Sequence, residues 1–167
     1  PRGLAALIDD EPLRYAVIDA GTNSIKFHVG ELGAGGKWRT VVDRAELTRL
    51  GEGLAQQGVI VDAALQRTVA AIAGMVDEAK RHGVRAIAAV GTAGLRIASN
   101  GNQVVDAIQA RTGVRIEVIS GDEEGRLAYV AAKAGLGLNR GSLVVFDTGG
   151  GSSQFTFGHD SVVDERF

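Results

Sequence analysis

The residues between Leu143 and Phe157 are of the types that grip phosphate, and they come in the order a phosphate site needs. Leu143 to Phe146 is an apolar run suited to a strand buried on both faces, and Asp147 ends it with a carboxylate. Gly149, Gly150 and Gly151 follow, so that successive backbone N–H groups can turn toward one anion, and Ser152 and Ser153 add hydroxyl donors. Ser153, Phe155 and Phe157 then alternate with Gln154 and Thr156, which predicts that the loop leads into a second strand. Dinucleotide folds and Walker loops lead from the glycines into a helix, and no Gly-Lys-Ser/Thr occurs here, so both are set aside.

The same device occurs earlier in the chain. Laid on Val145 to Phe157, the segment Val17 to Val29 matches at Asp, Gly, Ser and Phe at a constant offset of 128 residues. An apolar strand, an Asp, a Gly-rich turn and an alternating strand in one register argue for two related halves, each presenting a β-hairpin to one phosphate chain. Two unrelated hairpins with tight Gly-rich turns are the plainer alternative.

Such loops need a framework. Strands are predicted at Tyr15 to Asp19, Ile25 to Leu32 and Trp38 to Asp43, with Gly33 to Gly36 as a turn and Arg49 to Leu54 as a loop. Asp62 can cap a helix running to about Arg81, with Leu65, Val69, Ile72, Val76 and Ala79 on its core face and Gly83 as its stop. A buried strand from Arg85 to Val90 runs into Gly91 to Arg96. A helix from Asn100 to about Thr112, a strand from Val114 to Ile119 and a helix from Ser120 to about Gly135 complete the path to Leu143. The order is that of a mixed α/β protein.

At 167 residues the chain can hold one domain with a real core, or one domain and part of another. Its apolar content is that of a soluble globular protein, and no run approaches the roughly 20 residues of a membrane span, so no membrane partner is expected. The patch from Leu4 to Ile8 is followed by Asp9, Asp10 and Glu11, which argues against a secretory signal. Cysteine is absent, which excludes disulfides and thiolate metal sites and fits a cytoplasmic location. His28, His82 and His159 show no ligand spacing. A net charge of −2 gives no general reason to bind nucleic acid.

Five motifs carry a resemblance. Asp19 to Ser24, Leu50 to Leu54, Gly91 to Arg96, Ile119 to Arg126 and Asp147 to Ser152 resemble, in this order, the successive motifs of the exopolyphosphatase / guanosine pentaphosphate phosphatase (Ppx/GppA) family. That family lies in the actin-like, Hsp70-like, sugar-kinase superfamily. The resemblance implies a ribonuclease-H-like α/β domain (the actin-like ATPase fold) with a mixed β-sheet and flanking helices, followed by the start of a second related domain, with the active site between them. It divides the chain into a lead-in at 1–13, a first domain at 14–126 and the beginning of a truncated second domain at 127–167. The fragment by itself is then expected to lack appreciable activity. The implied substrates are inorganic polyphosphate or guanosine pentaphosphate (pppGpp), the implied cofactor is Mg²⁺, and a homodimer of the full-length protein is compatible with the family.

The residues fit the chemistry of phosphoanhydride hydrolysis, which needs donors around the phosphoryl oxygens, a divalent cation and a base for the attacking water. Donors come from Gly21, Thr22, Asn23 and Ser24 and from Gly149, Gly150, Gly151 and Ser152. Asp19 and Asp147 can hold Mg²⁺ through water, or can serve their own turns. For the base, Ser120 and Glu123 have capping-box spacing and Asp122 suits the helix dipole, which leaves Glu124 without structural work. Glu124 shares a helix face with Leu127, Ala128 and Ala131, and partial burial there would raise its pKa toward general-base values. By resemblance it matches the family's catalytic Glu, although Gly125 replaces the Ala that follows. Decoration of a helix N-terminus is the alternative.

Lys26, Arg96 and Arg126 are the nearest cations. Thr92 corresponds to a family position facing the cleft, or caps a helix with its hydroxyl. Gln154 stands where the family usually has Glu, as a weak metal ligand that should face the cleft as Lys26 does in the first hairpin. A binding module that grips phosphate chains or nucleotides with little turnover is the rival function. A sugar-kinase or Hsp70-like ATPase shares the hairpin cradle but leaves the motif from Ile119 to Arg126 unexplained.

Overall fold

In a computed structural model the structure describes residues 12–138, 140–160 and 162–166. The apolar patch and acids of the lead-in, within 1–11, lie outside the described residues. The chain opens with β1 (Leu13–Ala20), β2 (Ser24–Leu32) and β3 (Trp38–Leu47), an antiparallel meander. β3 runs four residues beyond the Asp43 expected, because its whole length pairs with β2, from Trp38 opposite Leu32 to Leu47 opposite Ser24.

A four-residue helix that the sequence pattern did not announce, α1 (Leu54–Gln57), leads to α2 (Asp62–Arg81). Asp62 is the first helical residue of α2 and not its cap. Val61 takes the cap position, and the Asp62 carboxylate accepts from Gln66 Nε2 at 3.1 Å in the first turn, where the helix dipole favours it. Gly83, at φ 64°, takes the left-handed conformation after the helix ends. β4 (Ala86–Gly91) then lies parallel to β1.

After α3 (Ala93–Ile97) and α4 (Gly101–Thr112), β5 is only Glu117–Val118, shorter than the strand expected over 114–119. It is an edge strand that pairs with β4 at two residues alone. The first sheet thus has the order β3-β2-β1-β4-β5.

Strand alternation sorts this sheet into two faces. Ala16, Ile18, Ala20, Ile25, Phe27 and Val29 point to the buried face, where α2 brings Val69, Ile72, Met75, Val76 and Ala79 against them. The opposite face carries Val17, Asp19 and Lys26, and these side chains are left for the site. At the far end of β2, Arg39 and Arg14 clasp Glu31 and hold its carboxyl below the usual carboxylate range.

The second sheet is β6 (Ser142–Thr148), β7 (Ser153–His159) and β8 (Val162–Arg166), the last unannounced by the sequence pattern. One face packs on α5 (Gly121–Leu136), where Tyr129 is buried and Gly158 leaves it room, since a Cβ at Gly158 would come within 2.7 Å of the Tyr129 ring. The division expected between 126 and 127 falls inside this helix, whose main packing partners are the strands of the second sheet.

The repeat persists in the pairing. Asp19 lies opposite Lys26 and Asp147 opposite Gln154, each Asp one residue from the end of its strand, and neither Gly-rich loop opens a helix.

β6 is not buried on both faces, as its apolar run had implied. Val144 (54%), Phe146 (55%), Phe155, Phe157 and Val162 are exposed on the face away from α5, with Phe146 and Phe155 stacked at 4.4 Å between ring centroids. Apolar sequence marked both faces for burial, but the described residues supply a helix for one. The isolated 167-residue chain should therefore bind an apolar dye such as ANS through this face. Phe146→Ser with Phe155→Ser should remove most of the signal with far-UV circular dichroism unchanged; an undiminished signal would place the dye elsewhere.

Candidate active site

The two Gly-rich loops are the same turn built twice. Gly21 N–H donates to Ser24 O at 3.1 Å, and Gly149 N–H donates to Ser152 O at 2.9 Å. These two glycines thus spend their N–H groups inside the turn and are not donors to a ligand. The backbone N–H groups of Thr22, Asn23, Gly150, Gly151 and Ser152, in contrast, make no hydrogen bond among the described residues. Unpaired backbone donors are uncommon in folded chains, and successive ones on Gly-rich turns that line a cavity are of the kind that can bind an anion.

The loop carbonyls are held from behind. Thr22 O accepts from Gly51 N–H at 2.8 Å, and Asn23 O accepts from Arg49 N–H at 2.7 Å and Thr48 N–H at 3.1 Å. The segment at 48–51 therefore fixes the first loop with its oxygens turned away. It braces a loop 25 to 29 residues earlier in the chain.

Thr22 is the seat on which the two hairpins meet. A Cβ on Gly51 would lie 2.3 Å from Thr22 Cγ2, one on Gly94 3.0 Å from Thr22 Oγ1, and one on Gly151 2.4 Å from the same oxygen. Beside it a Cβ on Gly150 would lie 2.4 Å from Asn23 Nδ2. Only glycine lets the second loop settle this closely on the first.

The resulting cleft has a volume of about 880 Å³. It gathers Asp19, Thr22, Asn23, Ser24, Lys26, Thr92, Glu124, Asp147 and the loop from Gly149 to Ser152, which are most of the residues singled out by type and spacing. Lys26 Nζ stands 3.5 Å from Asp19 Oδ2, whereas Asp19 Oδ1 is buried without a hydrogen-bond partner. Asp147 lines the other wall, half-buried, with no ion pair among the described residues. Thr92 holds the cap position of α3, but its carbonyl and not its hydroxyl receives the Leu95 and Arg96 N–H groups.

Glu124 projects from the first turn of α5. Ser120 caps this helix, its Oγ accepting from Glu123 N–H at 3.1 Å, and the Glu123 carboxylate holds Arg126 at the exposed surface. Arg126 is accordingly not a cleft residue. Arg96 reaches Glu124 Oε2 with both terminal nitrogens at 3.2 Å and donates to Ile119 O at 2.8 Å. Glu124 Oε1 has no hydrogen-bond partner among the described residues. The stripe of Leu127, Ala128 and Ala131 below Glu124 lines the cleft; the face of α5 buried against the second sheet is the one with Gly125 and Tyr129.

Gln154 is placed differently from the expectation. It is buried, it does not line the cleft, and its Nε2 donates to Ser152 Oγ at 2.8 Å. Its amide serves the turn of its own loop, a short-range bond that register alone does not announce.

For a cation, the fit rests on Asp19 and Asp147. No cluster of three or more His, Cys, Asp or Glu able to hold a metal occurs among the described residues, which excludes an all-protein cage there. An orphaned Asp19 oxygen and an unpaired Asp147 beside free phosphate donors suit an ion that keeps water ligands and takes the rest from phosphate, as Mg²⁺ does. The histidines stay out of the cleft, and no helix among the described residues is long and apolar enough to cross a membrane.

The model of the Ppx/GppA phosphatase family matches residues 29–166. Exopolyphosphatase 2 of Mycobacterium tuberculosis is 32% identical over 158 residues, covering 90% of this chain and 50% of that protein. The guanosine-5'-triphosphate,3'-diphosphate pyrophosphatase of Aliivibrio fischeri is 33% identical over 147 residues, covering 88% and 29%. The crystal structure of the Aquifex aeolicus member of the Ppx/GppA family superposes with a TM-score of 0.83 at 28% identity, over 93% of this chain and 50% of that one. The chain spans about half the length, or less, of the curated relatives it matches.

The docking of the loops makes a stability prediction. Gly151→Ala should cost about 1–3 kcal/mol in denaturant unfolding, as overpacking does, and Thr22→Ala in the same chain should return part of it. Gly74→Ala, with open space around it in α2, should instead stabilise by up to about 1 kcal/mol. Additive losses from Thr22→Ala and Gly151→Ala would mean the loops do not touch as described.

Proposed function

Because this chain belongs to the Ppx/GppA phosphatase family, we propose that the protein it comes from hydrolyses a terminal phosphoanhydride, releasing orthophosphate from inorganic polyphosphate or from guanosine pentaphosphate. The observation that carries this is the placing of Glu124, with Oε1 unpaired, in one cleft with two loops of free backbone N–H groups.

The terminal phosphoryl group is gripped by the N–H groups of Thr22, Asn23, Gly150, Gly151 and Ser152, with the Ser24 hydroxyl and Lys26 beside them. These donors are fixed before substrate arrives, so stabilising the charge on the equatorial oxygens needs no rearrangement. Arg96 orients Glu124 through Oε2, and Oε1 accepts a proton from water as the water oxygen bonds to phosphorus. The bridging P–O bond breaks, and its electron pair leaves on the new end of a chain one phosphate shorter. Mg²⁺, held by Asp19 and Asp147 through water, would draw charge from the phosphate oxygens when bound.

Glu124→Gln in the full-length protein should lower kcat by about 10²-fold or more, with substrate affinity nearly unchanged. Glu123→Gln should leave kcat within about twofold, since its carboxylate holds Arg126 in an exposed pair and does not line the cleft. Phosphate release from polyphosphate and from guanosine pentaphosphate with Mg²⁺ is the measurement. Equal losses from the two variants would remove Glu124 from the role of base, and no release from either substrate would overturn the reading.

A further inference from the structure

Behind the loop contact lies a second cavity of about 410 Å³, and Thr22, Asn23 and Gly150 border both it and the first. Arg49 lines it. The residue holds φ 49°, a left-handed conformation that costs a non-glycine residue about 1 kcal/mol or more. Its N–H pins it there by donating to Asn23 O. Glycine would suit such a backbone better, so the retained side chain points to a use for the guanidinium.

That guanidinium is exposed and has no hydrogen bond or ion pair among the described residues. Glu52, the one acid among the described residues lining the cavity, is already paired with Arg67. Arg49 is therefore the lining cation left without a partner among the described residues, next to a phosphate cradle. Among the described residues it is lined by no aromatic side chain to stack a base, and Leu47 is the one large apolar side chain.

We propose that this cavity is a subsite for the inner phosphates of a linear polyphosphate, held by Arg49 as the chain passes over Asn23 and Gly150 from the cradle. The inference rests on the phosphoanhydride reading above but concerns binding and chain-length preference, not the chemical step. A chain long enough to reach Arg49 gains a charge-assisted contact that a shorter one lacks, so long chains should bind more tightly than tripolyphosphate.

The test uses the full-length protein with Arg49→Gly, which relieves the left-handed backbone while removing the charge, and Arg49→Lys, which keeps a charge there. KM and kcat with Mg²⁺ are measured for tripolyphosphate, long-chain polyphosphate and guanosine pentaphosphate, together with calorimetric binding of long-chain polyphosphate with the cation chelated. Arg49→Gly should weaken long-chain binding and raise its KM about tenfold, with kcat unchanged and tripolyphosphate affected less than about twofold. Arg49→Lys should recover most of the loss. Equal effects on short and long chains, no effect of Arg49→Gly, or a loss confined to guanosine pentaphosphate would each overturn the subsite. If the wild type binds long chains through Arg49 but releases no phosphate from either substrate, the hydrolase reading falls and the subsite stands; if it does not bind polyphosphate, the subsite falls and the hydrolase reading is decided by phosphate release from guanosine pentaphosphate.

Discussion

Everything in the cleft depends on how closely a loop of bare glycines can sit on Thr22. The two sheets are separate, each packed on its own helices, and the second loop meets the first where Gly150 and Gly151 approach Asn23 and Thr22. A side chain at either glycine would fill the contact. Gly51 and Gly94 press on the same threonine from two other segments, so four glycines from three stretches of chain converge on one loop. Their close approach also brings the unbonded N–H groups of both loops to the border of one cavity.

The two hairpins share register but divide the electrostatic work. In the first, Lys26 stands opposite Asp19 and balances it at 3.5 Å. In the second the equivalent position is Gln154, which turns to Ser152 and leaves Asp147 unpaired. A symmetrical cleft with two lysines would favour the polyanion but compete for the carboxylates a cation needs. One with two further acids would repel phosphate at short range. The asymmetry gives a balanced ion pair on one side and an available carboxylate on the other.

Much of this was legible because it depends on residue type at fixed spacing. A period of 128 residues announced two hairpins of one register, and the pairing of Asp19 with Lys26 and of Asp147 with Gln154 follows from it. The long helix from Asp62 to Arg81 was readable from its 3.6-residue stripe. What escaped depends on partners distant in sequence. The bracing of Thr22 and Asn23 by residues 48–51 is made by backbone groups, which carry no side-chain signature. Gly21 and Gly149 were read as donors because composition cannot tell a turn's internal bond from an open one. The apolar run of β6 did predict a strand, but which of its faces is covered depends on what packs there, and periodicity holds no information on that.

Glu124 owes its position to both halves at once. Arg96, from α3 beside the first sheet, binds its carboxylate and also the carbonyl of Ile119, the residue before the cap of α5. The remainder of α5 packs on the second sheet through Tyr129. The first turn of the helix is thus tied to one half by hydrogen bonds and its body to the other by apolar contact. A carboxylate mounted on a loop would need its own constraints to stay aligned with donors from two sheets. Here the helix that joins the halves carries it, and one guanidinium fixes both the helix start and the side chain. The position of Glu124 relative to the two loops is therefore set by contacts to both halves.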